Sequence, residues 1–188
     1  MINEKKKGTN AARQKAFSVS TGDIIVTLDA DSVPESNWLH LALKHFENPN
    51  IVAVSGICKF DGNYWYTSIL FWIQKSFIFK SIHFFIHKVI GKYALIFGSN
   101  AWYRRESLLQ IGGFNCDITF WGDDAYTGEM ITKVGKVIYD PKIIVTTSSR
   151  RYAQTGPLST MSQYVKNYIS MWIFKKPITK EKNTATIR

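Results

Sequence analysis

Apolar positions along the chain alternate between short β-branched runs and longer stretches at helical spacing. Residues 9 to 20 suit a helix, and Ile24, Ile25, Val26 and Leu28 make a compact run that predicts a buried strand over 23 to 28. Pro34 and Ser36 then introduce a helix carrying Trp38, Leu39, Leu41, Ala42, Leu43 and Phe46, stopped near Pro49. Ile51 to Ile57, rich in β-branched residues, predicts a second strand. Residues 65 to 90 form an aromatic, helical region, and Phe97 to Tyr103 an extended one. Arg105 to Ile111 predicts a short helix closed by Gly112-Gly113, and Asp124 to Val134 a helix with Gly135 as its C-cap. Two short strands, Val137 to Tyr139 and Ile143 to Thr147, precede a last amphipathic helix over Leu158 to Phe174. This alternation predicts an α/β domain over 1–178 with helices flanking a central sheet, followed by a frayed polar tail over 179–188.

Composition narrows the class. The 188 residues suffice for one domain with a sizeable core, and 14% of them are aromatic. Lys and Arg number 24 against 14 acids, a net charge of +10, which favours an anionic partner such as a nucleotide diphosphate, an acidic lipid surface or nucleic acid. No nucleic-acid-binding motif supports the last of these. Cys58 and Cys116 have no ligand-like spacing, so neither a disulfide framework nor a zinc site is expected. Glu4 to Lys7 is charged and no apolar h-region follows, so the expected location is cytoplasmic.

The candidate chemistry begins where the first strand ends, at Asp29 and Asp31, one residue apart. Ligands of open α/β sheets collect at the carboxyl ends of strands, and two hard oxygen donors there suit a divalent cation that also touches a phosphate. The plainer alternative is a solvated turn capped by Asp31 or Ser32. The string GDIIVTLDADSVP, residues 22 to 34, resembles the DxD signature of nucleotide-sugar-dependent glycosyltransferases of the GT-A fold, specifically family 2. That resemblance implies that Asp29 and Asp31 hold Mg2+ or Mn2+ and the donor, with Asp31 the more direct ligand.

Three further strings follow in the family's order. GSNAWYRRESLLQIGGF, residues 98 to 114, resembles the segment in which a Gly-x-Asn turn precedes an arginine, a short helix and a GGF turn. Gly98 and Asn100 would let backbone approach a sugar and supply amide hydrogen bonds. Gly112 and Gly113 permit a left-handed turn that Phe114 pins into the core. WGDDAYTGEMITKVGKVIYDP, residues 121 to 141, has an acidic pair at a helix start, Asp123-Asp124, where the family prefers Glu-Asp. The resemblance implies that Asp124 is the general base and that Asp123 lies on the acceptor or sugar side. The alternative is an N-cap and a favourable charge at the positive end of a helix dipole. TTSSRRYAQTG, residues 146 to 156, falls where processive synthases carry Gln-x-x-Arg-Trp. The departure implies a non-processive enzyme in which Arg150 or Arg151 stabilises the departing diphosphate, unless both lie in a solvated basic turn.

The resemblance covers residues 7 to about 175. It implies transfer of a sugar from a nucleoside-diphosphate sugar to a hydroxyl acceptor with inversion, the acceptor being lipid-linked, a glycolipid or a polysaccharide. Only 28 residues precede Asp29, and KKKGTNAARQKAF resembles the middle of the family's pattern, with Asn10 and Arg13 matching a segment near the donor diphosphate. The chain is therefore expected to lack an amino-terminal nucleotide-binding half, with Met1 an internal methionine or a misassigned start. The 23–28 strand would then keep an unpaired edge, and the isolated chain is expected to fold poorly or bind nucleotide weakly. A competing class is a non-catalytic membrane-surface or partner-binding module derived from such an enzyme. Residues 65 to 97 feed that reading: Lys75, Lys80 and Lys88, with His83 and His87, interrupt every window long enough to span a membrane. Ser76, Lys80, His83 and His87 share one side of a helical wheel, as in an interfacial helix at the inner face of a membrane. Helices covering the acceptor cleft are the alternative. His83 and His87 have metal-ligand spacing without a third ligand.

Overall fold

The computed structural model describes residues 2–62, 64–85, 96–118 and 121–178. His87, the tail at 179–188 and the side chain of His83 lie outside that description. The chain folds as α1 (Thr9–Val19), β1 (Ile24–Leu28), β2 (Val33–Pro34), α2 (Trp38–His45) and β3 (Ile51–Phe60), then α3 (Trp65–Lys75) and α4 (Phe77–Phe85). After these come β4 (Asn100–Arg104), α5 (Arg105–Gln110), α6 (Asp123–Thr132), β5 (Lys136–Thr147), α7 (Arg150–Thr155) and α8 (Pro157–Phe174). The five strands make one mixed sheet in the order β1-β4-β3-β5-β2. Only β3 and β5 run parallel; β4 is antiparallel to both β1 and β3, and β2 to β5.

Alternating side chains divide the core between the two faces of the sheet. Ala53 and Tyr103 join Phe17 of α1, Leu108 of α5, Phe114 and Ile131 of α6 on one face. Val54 and Trp102 join Ala42 of α2 and Ile143 on the other, with the Trp38 ring packed at a tilt of 53° on Trp102, centroids 4.3 Å apart. The central strand β3 is buried on both sides from Ile51 to Cys58, which is why it reads as a continuous apolar run. β1 is paired on one edge by β4, and Val26 and Leu28 remain exposed.

Several boundaries differ from those expected. Pro34 does not open a helix; it lies in β2 opposite Val145, an edge position where its missing N–H costs nothing. The two expected short strands are one, β5, because its register against β3 slips between Ser55 and Ile57, letting residues 140–143 pass without ladder partners on β3. The aromatic region is two helices broken at Ser76, which has extended backbone and whose hydroxyl accepts from the Phe79 N–H. Residues 150–155 are a helix, not a turn. Gly135 is no left-handed cap; α6 ends at Lys133, and a Cβ on Gly135 would collide with Val52 of β3. The Gly112-Gly113 turn forms as expected, with φ of 83° and 79°. The Phe114 N–H donates to Gln14 Oε1 at 2.8 Å, fixing the buried Phe114 ring beneath α1.

Candidate active site

Strand β1 delivers Asp29 to the rim of the sheet, and a turn closed by Ser32 N–H donating to Asp29 C=O turns the chain into β2. Because β2 pairs with the end of β5, Asp31 is set beside Thr147 and Arg150. Thr147 Oγ1 lies 3.4 Å from Asp31 Oδ1, and Arg150 Nη2 lies 3.9 Å from Asp31 Oδ2. Helix α7 is held there from below: Asp61 Oδ1 accepts from the Ser149 N–H at 2.6 Å, and Tyr152 is buried against Phe60.

The acidic pair of α6 arrives from the other side. Gly122, at φ 90°, is the N-cap, so Asp123 is the first helical residue, and its carboxylate interacts with the backbone N–H groups of Asp123 and Asp124. Arg13 of α1 gathers the acids. Its Nη1 donates to Asp124 Oδ1 at 2.9 Å and to Asp123 Oδ2 at 3.1 Å, while Nη2 lies 3.9 Å from Asp29 Oδ1. Burial opposes the Arg13 charge, but the Asp124 and Asp123 carboxylates more than offset it, and the guanidinium is held charged. The second Asp124 oxygen accepts from the Gly98 N–H at 3.0 Å. A Cβ on Gly98 would overlap that carboxylate, so glycine is required for the backbone to come this close.

Exposure separates the expected site residues into two groups. Asp124, Asp31 and Asp29 expose 37%, 46% and 48% of their side chains, and Arg150 exposes 52%; these are open to a ligand. Arg13 and Asp123 expose only 14% and 15% and face each other. Asn10 and Asn100 are fully buried. Asn10 Nδ2 donates to Asn115 C=O, so it ties α1 to the loop after Phe114 rather than pointing to a diphosphate. Asn100 corrects its expected sugar contact: Nδ2 donates at 2.9 Å to both Ile57 C=O and Ile143 C=O, and Oδ1 accepts from Trp38 Nε1 at 2.9 Å. Those carbonyls flank the slipped register of β3 and β5, so Asn100 supplies hydrogen bonds where the ladder is interrupted. Gly98 likewise uses its amide on Asp124.

Trp121 and Tyr164, which the sequence did not single out as site residues, complete the rim beside Arg151. The Arg151 guanidinium lies over the rings of Trp121 and Tyr164, 5.9 Å from each centroid, and donates to the Tyr164 hydroxyl. Cys58, beneath Asp29, is bonded to Ser99 and its thiol is pushed up to about 12 by burial, so it is no nucleophile at neutral pH. Only the glycine and acid strings gave a local signal. Thr147, Tyr164 and Trp121 acquire their places from partners far along the chain.

The electrostatics suit a cation. Burial raises the Asp29 carboxyl above its ordinary range, Arg13 opposes this, and the charges of Asp124 and Asp31 add to it. A divalent ion would relieve that crowding, and two half-exposed carboxylates are hard donors of the right kind for Mg2+ or Mn2+. Among the described residues no three His, Cys, Asp or Glu side chains form a metal-binding group, so a diphosphate would have to supply further ligands. Burial, then the Asp124 charge, push the Asp123 carboxyl up to about 8 against the pull of Arg13. A folded value above the unfolded 3.8 means the native state binds the proton more tightly. This group's contribution is therefore most favourable at low pH and is lost as pH rises through about 8. Chemical denaturation between about pH 5 and about pH 8 is expected to show falling stability from this group, with a shallower fall in Asp123→Asn. Equal slopes would assign the dependence elsewhere.

Residues 1–112 match the family model described as Glycosyl transferase family 2. A glucosyl-dolichyl phosphate glucuronosyltransferase of Haloferax volcanii is 24% identical over 131 residues, 64% of this chain and 39% of that protein. A mannosyltransferase of Pyrobaculum calidifontis, solved in complex with GDP-Man and Mn2+, is 25% identical with a TM-score of 0.55, over 74% of this chain and 36% of that one. Glucosyl-3-phosphoglycerate synthase of Mycobacterium tuberculosis, solved with Mn2+, UDP and phosphoglyceric acid, has a TM-score of 0.50 at 14% identity, over 93% of this chain and 56% of that one. The last likeness concerns the fold alone. The chain spans from about a third to just over half the length of these relatives.

Proposed function

The chain belongs to glycosyl transferase family 2 and carries a GT-A-type fold, and on that premise we propose that its site moves a sugar from a nucleoside-diphosphate sugar to a hydroxyl acceptor. The observation that carries this reading is the gathering of Asp29, Asp123 and Asp124 by one arginine, with Asp31 and Arg150 on the same rim. Acids that lie about a hundred positions apart in sequence thereby face one opening.

Asp29 and Asp31 would hold Mg2+ or Mn2+, which when bound would supply positive charge to offset that of the leaving diphosphate. Arg150 and Arg151 receive the departing diphosphate, a task for which a fork of donors is suited. Asp124 is the base. One of its oxygens is fixed by the Gly98 amide and the other by Arg13, so the carboxylate stands in a single orientation as it accepts the acceptor's hydroxyl proton. The acceptor oxygen attacks the anomeric carbon on the face opposite the diphosphate, a single inverting displacement, and the product leaves after one addition. Asp123 positions Arg13, and Asn10 and Asn100 brace the elements behind the site. Among acceptors, we favour a lipid-linked hydroxyl. This is in keeping with the archaeal relative, a glucosyl-dolichyl phosphate glucuronosyltransferase, and implies work at the cytoplasmic face of a membrane.

The donor half of this reading is tested by calorimetric titration of the chain with UDP, GDP and TDP in the presence and absence of Mn2+. Metal-dependent binding is expected, weakened by about tenfold or more in Asp31→Ala, since one direct ligand is lost. Metal-independent binding, or equal affinity in the variant, would leave Asp29 and Asp31 as a structural turn. The non-catalytic module would then become the better reading.

A further inference from the structure

Helix α3 buries one face and leaves an adjoining apolar stripe exposed. Tyr66, Leu70 and Gln74 are buried toward the sheet, where Gln74 bonds to Cys58 of β3. Trp65, Ile69, Trp72 and Ile73, at i, i+4, i+7 and i+8, form a second stripe that faces outward. Trp65 is 71% exposed and Trp72 65%. Past the break at Ser76, Phe77 and Ile78 open α4 at 82% and 71% exposure, and a groove of about 490 Å3 runs between the helices. Side chains of this size left in water, contiguous rather than scattered, mark a surface that another phase or molecule covers.

The charge around this face selects the occupant. From residue 62 to residue 105 the chain has no Asp or Glu, while Lys75 and Lys80 lie among the aromatics. Lys75 Nζ sits over the Phe71 and Trp72 rings, 5.5 and 5.9 Å from their centroids, so its stem follows the apolar surface and its charge stays at the edge. Helix α8 repeats the composition. Val165, Ile169 and Ile173 are exposed beside Lys166, and no acid occurs from 141 to 180. Met161 of α8 packs against the Tyr66, Leu70 and Tyr152 cluster, so the two helices adjoin. No described helix is long and apolar enough to cross a membrane.

We propose that the α3–α4 face docks in the plane of an anionic lipid bilayer. Trp65, Trp72, Phe77 and Ile78 enter the boundary between headgroups and acyl chains, and Lys75 and Lys80 lie against lipid phosphates. Tryptophan favours that boundary because its ring is apolar and its N–H stays within reach of water. A second copy of this chain is a poorer occupant: it would oppose lysines with lysines on a molecule of net charge +10. The inference does not depend on sugar transfer.

The test is sedimentation of the full chain with vesicles of phosphatidylcholine alone and of phosphatidylcholine with phosphatidylglycerol. Binding to the anionic vesicles, weakened by salt, is expected. The double variant Trp72→Glu, Phe77→Glu should abolish it with an unchanged thermal melt, since both residues are exposed. Lys75→Glu with Lys80→Glu should lower partitioning by about tenfold or more. Asp31→Ala should sediment like the parent, which separates failure of the docking from failure of the catalytic reading. No sedimentation, equal sedimentation of the Trp72→Glu, Phe77→Glu variant, or a dimer that this variant dissociates would each overturn the proposal.

Discussion

Replacing Asp124 with asparagine is expected to lower turnover by about two to four orders of magnitude, the usual contribution of a positioned general base. The change is nearly isosteric. An asparagine oxygen can still accept from the Gly98 amide, and Arg13 keeps Asp123 as partner. Donor and metal binding should therefore change by no more than a few fold, so that the loss falls on the chemical step. Release of nucleoside diphosphate from a nucleotide sugar, with water or a simple alcohol as acceptor, reads the effect. Asp124→Glu should not restore activity, because a carboxylate pushed outward by one methylene cannot keep both fixed contacts. Turnover retained within about tenfold in Asp124→Asn would remove Asp124 from the role of base.

The second large effect concerns stability. Asn100→Leu leaves three buried groups without partners: the carbonyls of Ile57 and Ile143 and the Trp38 indole N–H. Each orphaned group costs about 1–3 kcal/mol, so a loss of about 4 kcal/mol is expected, a large share of the margin of an ordinary domain. Trp38→Phe removes one of these bonds and should cost about 1 kcal/mol through it. Packing makes the same point about Gly56, whose added Cβ would collide with Asn100 Nδ2 and Ile143 C=O together. Denaturant unfolding of the two variants distinguishes them. A loss of less than about 1 kcal/mol in Asn100→Leu would mean that water replaces the amide.

What could be read from the sequence was whatever is local. The apolar run before Asp29, the acid pair one residue apart and the Gly112-Gly113 turn are each determined within a few residues, and each lies where it was expected. Strand β5 was divided because Asp140-Pro141 breaks its pattern, and the break is real: it falls in the stretch that β3 does not pair. Helix α7 was missed because Ser149 offers no side-chain cap; its stability comes from Asp61, 88 positions away, and from burial of Tyr152. Asn100 was read as a sugar contact from the resemblance of residues 98 to 114 to the family's Gly-x-Asn segment. Its actual partners lie 43 and 62 positions distant and left no mark near it. Arg13 was expected near the donor diphosphate; its contact with Asp123, 110 positions on, is visible only in the fold.

The sheet order has a kinetic meaning as well. Ile24 pairs with Arg104, Ala53 with Val137 and Val33 with Thr146, and even β3 and β4, the one pair adjacent both in sequence and in the sheet, join Ser55 to Ala101 across a long connection. Each pairing must close a long loop before it gains anything, and chains of this kind fold slowly, on the order of milliseconds to seconds. Residues 136–147 are made after both β3 and β2 and pair with each, so Asp31 meets Thr147 and Arg150 only once that later strand has docked. On the ribosome, β3 would emerge before its parallel partner, leaving one of its edges unpaired until β5 arrives.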